Sequence, residues 1–136
     1  MAHKFSVAAL DSASDRSIFD SGSEPLDRYF RTQVSQDIKR RVTACFVATA
    51  MHGQIAGYYT LASACVLLAD LPEATVKKLP RYPSVPAVRM GRLAVDKSFK
   101  GQGLGAALLA DALHRAATAE IAAYAFVVDA KDATAA

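Results

Sequence analysis

Six residues, Lys100-Gly101-Gln102-Gly103-Leu104-Gly105, constrain this chain more than any other feature. Ahead of them, residues 87–95 carry Val88, Met90, Leu93 and Val95, a pattern that predicts a strand. After them Leu104, Leu108, Leu109, Ala112, Leu113 and Ala116 recur at helical spacing, predicting a long helix from near Gly103 with those residues as its buried stripe. Glycine at every second position lets the main chain bend sharply and approach a ligand without Cβ collisions. The first amides of the following helix lack internal acceptors, and the helix dipole adds partial positive charge. A turn of this kind suits a diphosphate, to which Lys100 would add a full positive charge at the lip. The spacing Gly101-x-Gly103-x-Gly105 is neither the GxGxxG of dinucleotide folds nor the Walker pattern, in which Gly-Lys precedes Ser or Thr.

Residues 123–129, with Phe126, Val127 and Val128, form a continuously apolar run of the kind buried in the middle of a sheet. Strand, glycine turn, helix and strand make a βαβ unit, so the two strands are expected to be parallel with a right-handed crossover. Upstream the pattern is antiparallel: residues 43–51 and 54–64 flank His52-Gly53, a hairpin signature. Residues 5–10 read as a first strand. Ser23-Glu24-Pro25 reads as a helix start, and Leu26, Tyr29, Phe30 and Val34 carry that helix to about Ile38. Residues 70–79 read as a short helix, closed by Pro80, Pro83 and Pro86. Gly91 inside its strand predicts a bulge or a close backbone approach. Asp111 and Arg115 are expected to pair at i, i+4 on the outer helix face. The sum is one α/β domain, residues 1–136, with a mixed sheet and helices on both faces.

The formal charge is +3, with 52% hydrophobic and 21% charged residues, enough apolar material for a single packed core. A modest positive surplus suits an anionic partner. It is concentrated in Lys39-Arg40-Arg41, in Lys77-Lys78 with Arg81, and in Arg89 with Arg92, although such clusters also serve as plain solvated faces. No stretch approaches the roughly 20 apolar residues needed to cross a bilayer, and residues 1–10 lack the apolar run of a secretory signal. A cytoplasmic protein without membrane contact is the expectation. Cys45 and Cys65 lie in apolar runs without CxxC spacing and read as reduced core thiols; His3, His52 and His114 are scattered, so no metal site is expected.

The segment GRLAVDKSFKGQGLGAALL, residues 91–109, resembles the acetyl-CoA-binding motif of the GNAT superfamily, whose core is Arg/Gln-x-x-Gly-x-Gly/Ala. Lys100 stands at the Arg/Gln place, keeping the charge but losing bidentate geometry; Gly103 and Gly105 match the required glycines. The resemblance implies a mostly antiparallel sheet with a central, splayed parallel pair, and acetyl-CoA as cofactor. Lys100, Gly101, Gln102, Gly103, Leu104, Gly105 and Ala106 would hold its diphosphate, while the free backbone of Leu93, Ala94 and Val95 would hold the pantetheine arm. A narrower likeness is carried by Leu26-Asp27-Arg28-Tyr29-Phe30, Lys39-Arg40-Arg41, Gly57-Tyr58-Tyr59-Thr60-Leu61 and Leu79-Pro80-Arg81-Tyr82-Pro83. These are similar to the GNAT toxins of bacterial toxin–antitoxin pairs, over residues 5–132. That likeness implies a toxin that acetylates the α-amine of aminoacyl-tRNA and so blocks translation, with a ribbon-helix-helix antitoxin as partner.

The implied chemistry is reasonable. An α-amine has a pKa of about 7.7–8.0, so a useful fraction is neutral near pH 7 and a strong protein base is optional. A tRNA acceptor calls for Lys and Arg at its phosphates; Arg41, Arg81 and Arg92 are the substrate-binding candidates. In the family, the strand matching residues 123–129 is followed by a helix bearing the tyrosine that serves as general acid, and then by further strands. Here the sequence continues Ala130-Lys131-Asp132-Ala133-Thr134-Ala135-Ala136. None of Tyr29, Tyr58, Tyr59, Tyr82 or Tyr124 occupies the matching position, so no catalytic residue is assigned. The expectation is a short member without the C-terminal strands, impaired in catalysis and homodimeric through an open sheet flank. Two alternatives stand beside it: acetylation of a protein or small-molecule amine, or a non-catalytic domain that binds CoA or an antitoxin.

Overall fold

The structure is a computed structural model and describes residues 5–78 and 83–129. Five strands form one sheet in the order β1-β2-β3-β4-β5: β1 Phe5–Ala9, β2 Ala44–Ala50, β3 Ile55–Leu67, β4 Ser84–Val95 and β5 Ala125–Val128. The first four are joined antiparallel and β4–β5 is parallel, the mixed sheet expected from the βαβ pattern. β2 and β3 turn through Met51–Gln54, where Ala50 N–H donates to the Gln54 carbonyl at 2.9 Å. From Ile55 to Thr60 every residue of β3 is buried, because helices cover both of its faces.

One face is covered by α1 (Glu24–Arg28) and α2 (Val34–Lys39), joined through a wider π-helical turn at Tyr29–Gln33. That turn lets Tyr29, Phe30 and Val34 all face the sheet, where they pack with Phe19, Cys45, Val47, Ile55, Tyr58 and Ala94. The loosened ladder is compensated locally: Arg16 Nη1–H donates to the Phe30 carbonyl at 2.8 Å. Across the sheet, α4 (Leu104–Thr118) lays Leu104, Leu108 and Ala112 on Ala48, Ala56, Tyr59 and Met90. Gly57 makes this approach feasible. A Cβ there would lie 2.9 Å from both the Ala94 carbonyl oxygen and Leu108 Cδ1, closer than real Cβ contacts come.

Several sequence expectations change once the elements pack. The pair Asp111–Arg115 is not on the outer face. Tyr59 Oη–H and Arg115 Nε–H both donate to the Asp111 carboxylate, Arg115 reaches the Val7 carbonyl at 3.2 Å, and its guanidinium lies over Phe46. Helix periodicity alone cannot see this, since the partners come from β1, β2 and β3. Leu113, expected in the stripe, is exposed. Cys45 is buried and its thiol is pushed up to about 12 by desolvation, as a core thiol should be. Cys65 is exposed, because β3 there has run past both covering helices. The helix expected over residues 70–79 shrinks to a 3-10 turn, Leu68–Asp70, and α3, Glu73–Val76. β5 stands at the sheet edge among the described residues rather than in the middle, and is only half-buried.

Candidate functional site

β4 and β5 pair over a short stretch only, from Ala87↔Ala125 to Met90↔Val128, and Asp129 N–H closes it by donating to the Met90 carbonyl at 3.0 Å. Beyond Met90, β4 keeps β3 on one side, with Leu93↔Tyr59, Ala94↔Tyr58 and Val95↔Gly57. Its other edge has no strand partner among the described residues. The fork, where the described β4–β5 pairing ends, lies at Met90, and Leu93, Ala94 and Val95 lie beyond it on the edge of β4. Gly91 sits at the fork: Thr60 pairs with Arg92 and Leu61 with Met90, so Gly91 is the extra residue of a bulge.

β4 leads directly into the glycine turn. Lys97–Phe99 form a 3-10 turn, Gly101 and Gly103 hold φ of 83° and 77°, and α4 starts at Leu104 with Gly103 as its N-cap. Glycine at 101 and 103 is explained by these left-handed conformations. The first helical bond at this end is Ala107 N–H to the Gly103 carbonyl, 3.1 Å. The N–H groups of Gly101, Gln102, Gly103, Leu104, Gly105 and Ala106 find no acceptor among the described residues. A Cβ at 101 or 103 would meet nothing within 4 Å, and one at 105 only Val95 Cγ2 at 3.9 Å. The protein leaves this space open around six unused donors at the positive end of a 15-residue helix.

Lys100 behaves differently from its sequence reading. Its Nζ donates to the Ser21 carbonyl at 2.7 Å, so it ties the turn to the segment before α1 rather than standing free at the lip. Asp96, which sequence reasoning passed over, is buried and accepts from Ser98 N–H at 2.9 Å and Asp20 N–H at 3.0 Å. The Asp96-Lys97-Ser98 part of this is a local turn legible in principle; the contact with Asp20 has no sequence signal. Lys97 Nζ lies 3.0 Å from Asp20, whose carboxyl is held below its usual range, first by that hydrogen bond and then by Gly22 N–H.

Of the three candidate substrate arginines, Arg92 lies on the α1–α2 face at the fork. Its guanidinium stacks 3.5 Å over the Tyr29 ring, and Tyr29 Oη–H donates to Asp37 at 2.7 Å. Arg41 lies at the C-terminal end of α2, exposed, in a left-handed conformation with φ of 60°, on a groove it shares with Ile38, Thr43 and Cys45. Cys45 belongs to the same cross-strand row as Thr60 and Arg92, about 10 Å from Arg92 by strand spacing. Arg81 lies outside the described residues. The tyrosines offer no obvious acid: Tyr29, Tyr58 and Tyr59 each donate their hydroxyl to an internal acceptor, and burial pushes all three above the ordinary phenol value. Tyr124 is half-exposed beside β5, and Tyr82 lies outside the described residues.

Comparison with known proteins agrees with this geometry. A tRNA-acetylating toxin of Mycobacterium tuberculosis is 38% identical over 106 residues, 78% of this chain; the chain spans 62% of that relative's length. Among solved structures, AtaT complexed with acetyl-methionyl-tRNAfMet superposes with a TM-score of 0.86 at 30% identity, covering 96% of this chain and 81% of that one. A tyrosine-to-phenylalanine mutant of the AtaT toxin, bound to the C-terminus of the antitoxin AtaR and acetyl-CoA, gives a TM-score of 0.78 at 25% identity, over 98% and 79% of the two chains. The sequence pattern of the acetyltransferase (GNAT) domain matches residues 10–136. With that match across nearly the whole chain, and the parallel β4–β5 pair joined through a glycine-capped helix, the chain belongs to the GNAT acetyltransferase family.

Proposed function

We propose that this chain is an acetyl-CoA-dependent N-acetyltransferase of the toxin kind, acting on the α-amine of aminoacyl-tRNA and thereby stopping translation. The observation that carries the reading is a pair of unused main-chain stretches: the edge of β4 at Leu93–Val95, which has no strand partner among the described residues, and the amides of residues 101–106. It fits a ligand with a diphosphate at one end and an extended amide-bearing arm at the other, and the open space over Gly101, Gly103 and Gly105 leaves room for it. Acetyl-CoA has that form and supplies an activated acetyl thioester. Residues 101–106 would bind the diphosphate, Lys100 would brace their turn, and Leu93, Ala94 and Val95 would align the arm so that its end meets the fork near Gly91 and Arg92. Holding the two reactants in one geometry is the main contribution such a site makes.

The named activity of the M. tuberculosis relative and the tRNA complex of AtaT support an aminoacyl-tRNA acceptor. The acetyl-CoA and antitoxin in the second AtaT structure support the cofactor and an antitoxin partner, which we take to be of the ribbon-helix-helix kind. A reaction on tRNA belongs in the cytoplasm. Homodimerisation is supported by β5, half-buried at the sheet edge among the described residues, with Val128 exposed on it and Tyr124 just before it.

Incubation with acetyl-labelled acetyl-CoA and charged tRNA tests the acceptor. Label should enter the tRNA fraction and leave it as an N-acetylamino acid when alkali cleaves the aminoacyl ester. Label on a peptide or a small amine instead would assign the chain to the other acetyltransferase reading, and binding without any transfer to the non-catalytic one. Arg92 and Arg41 are proposed to meet acceptor phosphates. For Arg92→Ala, tRNA binding should weaken and the slope of log K against log salt should flatten by about 0.7 for each lost single-strand phosphate contact. An unchanged slope would remove Arg92 from the site.

A further inference from the structure

Two carboxylates, Asp20 and Asp96, lie beside a cradle suited to an anion, where their charge opposes binding unless they do something else. Asp96 is 3% exposed, and both of its oxygens are in use: one accepts from Ser98 N–H within its own loop, the other from Asp20 N–H, 76 residues away. Three more contacts join the same two segments. Lys97 N–H donates to the Asp20 carbonyl at 2.8 Å, Lys97 Nζ pairs with the Asp20 carboxylate, and Lys100 Nζ donates to the Ser21 carbonyl. The turn they hold is itself locked to α1, because Ser21 N–H and Oγ–H both donate to Asp27, 4% exposed in the first turn of that helix. Gly22 takes a φ of 91° there, with its N–H on Asp20 Oδ1 at 2.9 Å.

We propose that Asp96 is a positioning residue that makes the turn of residues 20–23 the second half of the cradle's frame, so that a coenzyme seated on the amides of residues 101–106 also orders the start of α1. This rests on the acetyl-CoA reading above. α1 leads within one turn to Tyr29, on which Arg92 stacks at the fork. Occupancy of the diphosphate end is thereby transmitted to the side where the acceptor is proposed to bind, and by linkage the acceptor tightens the hold on the coenzyme. Four cross-links between segments so distant in sequence give the coupling a continuous physical route rather than mere proximity.

Amide hydrogen exchange on the intact chain, with and without coenzyme A, tests this. The expected result is coenzyme-dependent protection in two separate segments, 97–106 and 19–28. In Asp96→Asn the amide offers only one oxygen, so one of the two N–H contacts is lost; coenzyme affinity should fall about tenfold and the protection of 19–28 should disappear. Asp20→Ala, at a half-exposed position that does not threaten folding, should keep the protection of 97–106 while that of 19–28 falls about threefold. Protection confined to 97–106 in the unsubstituted chain, or undiminished at 19–28 in both variants, would overturn the coupling and leave the acetyl-CoA reading standing. Protection in neither segment would overturn that reading, and this inference with it.

Discussion

Gly103→Val is expected to weaken acetyl-CoA binding by about 100-fold or more while leaving the fold intact. Gly103 holds φ 77° and ψ 12°, and it is the residue from which the N–H groups of α4 fan out. For an L-residue that conformation costs about 1–2 kcal/mol, with β-branching adding to it. A valine would relax toward negative φ, rotating the neighbouring amides out of convergence. Each hydrogen bond to a charged group is worth about 1.5–3 kcal/mol, so losing two removes about 3–6 kcal/mol, and every 1.4 kcal/mol is tenfold. The fold bears the change because, its chain neighbours aside, no atom of the described residues lies within 4 Å of the new Cβ. Titration calorimetry with coenzyme A, paired with thermal unfolding of the same variant, separates the two effects. Undiminished binding would mean that the diphosphate does not sit on this turn.

Tyr58→Ala is expected to give the largest loss of stability of any single change, about 3–5 kcal/mol. Tyr58 is fully buried, stacked on Phe30 at 4.2 Å and set edge-on to Phe19 at 5.6 Å. Its hydroxyl donates to the Leu26 carbonyl at 2.7 Å, pinning the end of α1 to the central strand. Truncation to alanine opens a cavity between sheet and helix and also removes one of that carbonyl's two donors, leaving Tyr29 N–H. Domains of this size unfold with about 5–15 kcal/mol, so about a fifth or more of the margin would go. Tyr58→Phe isolates the hydrogen bond and should cost only about 1 kcal/mol. Urea unfolding of the three proteins measures both steps; a valid result needs an unchanged m-value, since a changed one means that the unfolded or native state has altered its compactness. Equal midpoints for the unsubstituted chain and Tyr58→Ala would contradict this packing.

The two experiments bear on different levels of the molecule. The first concerns a local conformation that glycine alone makes cheap; the second concerns contacts that exist only after α1 has docked on β3. The same division separates what was legible in the residues from what was not. The strand before the glycine turn, the helix after it, the hairpin around His52-Gly53, and the helix running from Glu24 to Lys39 all follow from local periodicity and punctuation. The bulge at Gly91 follows likewise, from a glycine inside a strand pattern. Even the unused amides of residues 101–106 could be anticipated, because every helix start leaves such donors and this one is flanked by residues that block nothing.

What periodicity misread were positions whose environment is supplied from far along the chain. Asp111 and Arg115 obey the i, i+4 rule of a solvated pair, yet Tyr59, Val7 and Phe46 enclose them. Residues 123–129 have the composition of a central strand, but their place in the sheet depends on which neighbours exist, and among the described residues β4 is the one they have. Cys65 looks like core because the apolar run of β3 continues beyond the helices that cover it.

By itself, the amino-acid sequence determined the local elements and the shape of the glycine turn, since backbone preference and side-chain period act between residues a few positions apart. It also carried the family, through a motif whose glycines are required by backbone geometry. Only the tertiary structure decided that Lys100 braces Ser21, that Asp96 reaches Asp20, that Arg92 rests on Tyr29, and that Ala87–Met90 of β4 pair with β5. Each of these joins groups tens of residues apart, and chain folding, rather than any local preference, brings them within hydrogen-bonding or stacking distance.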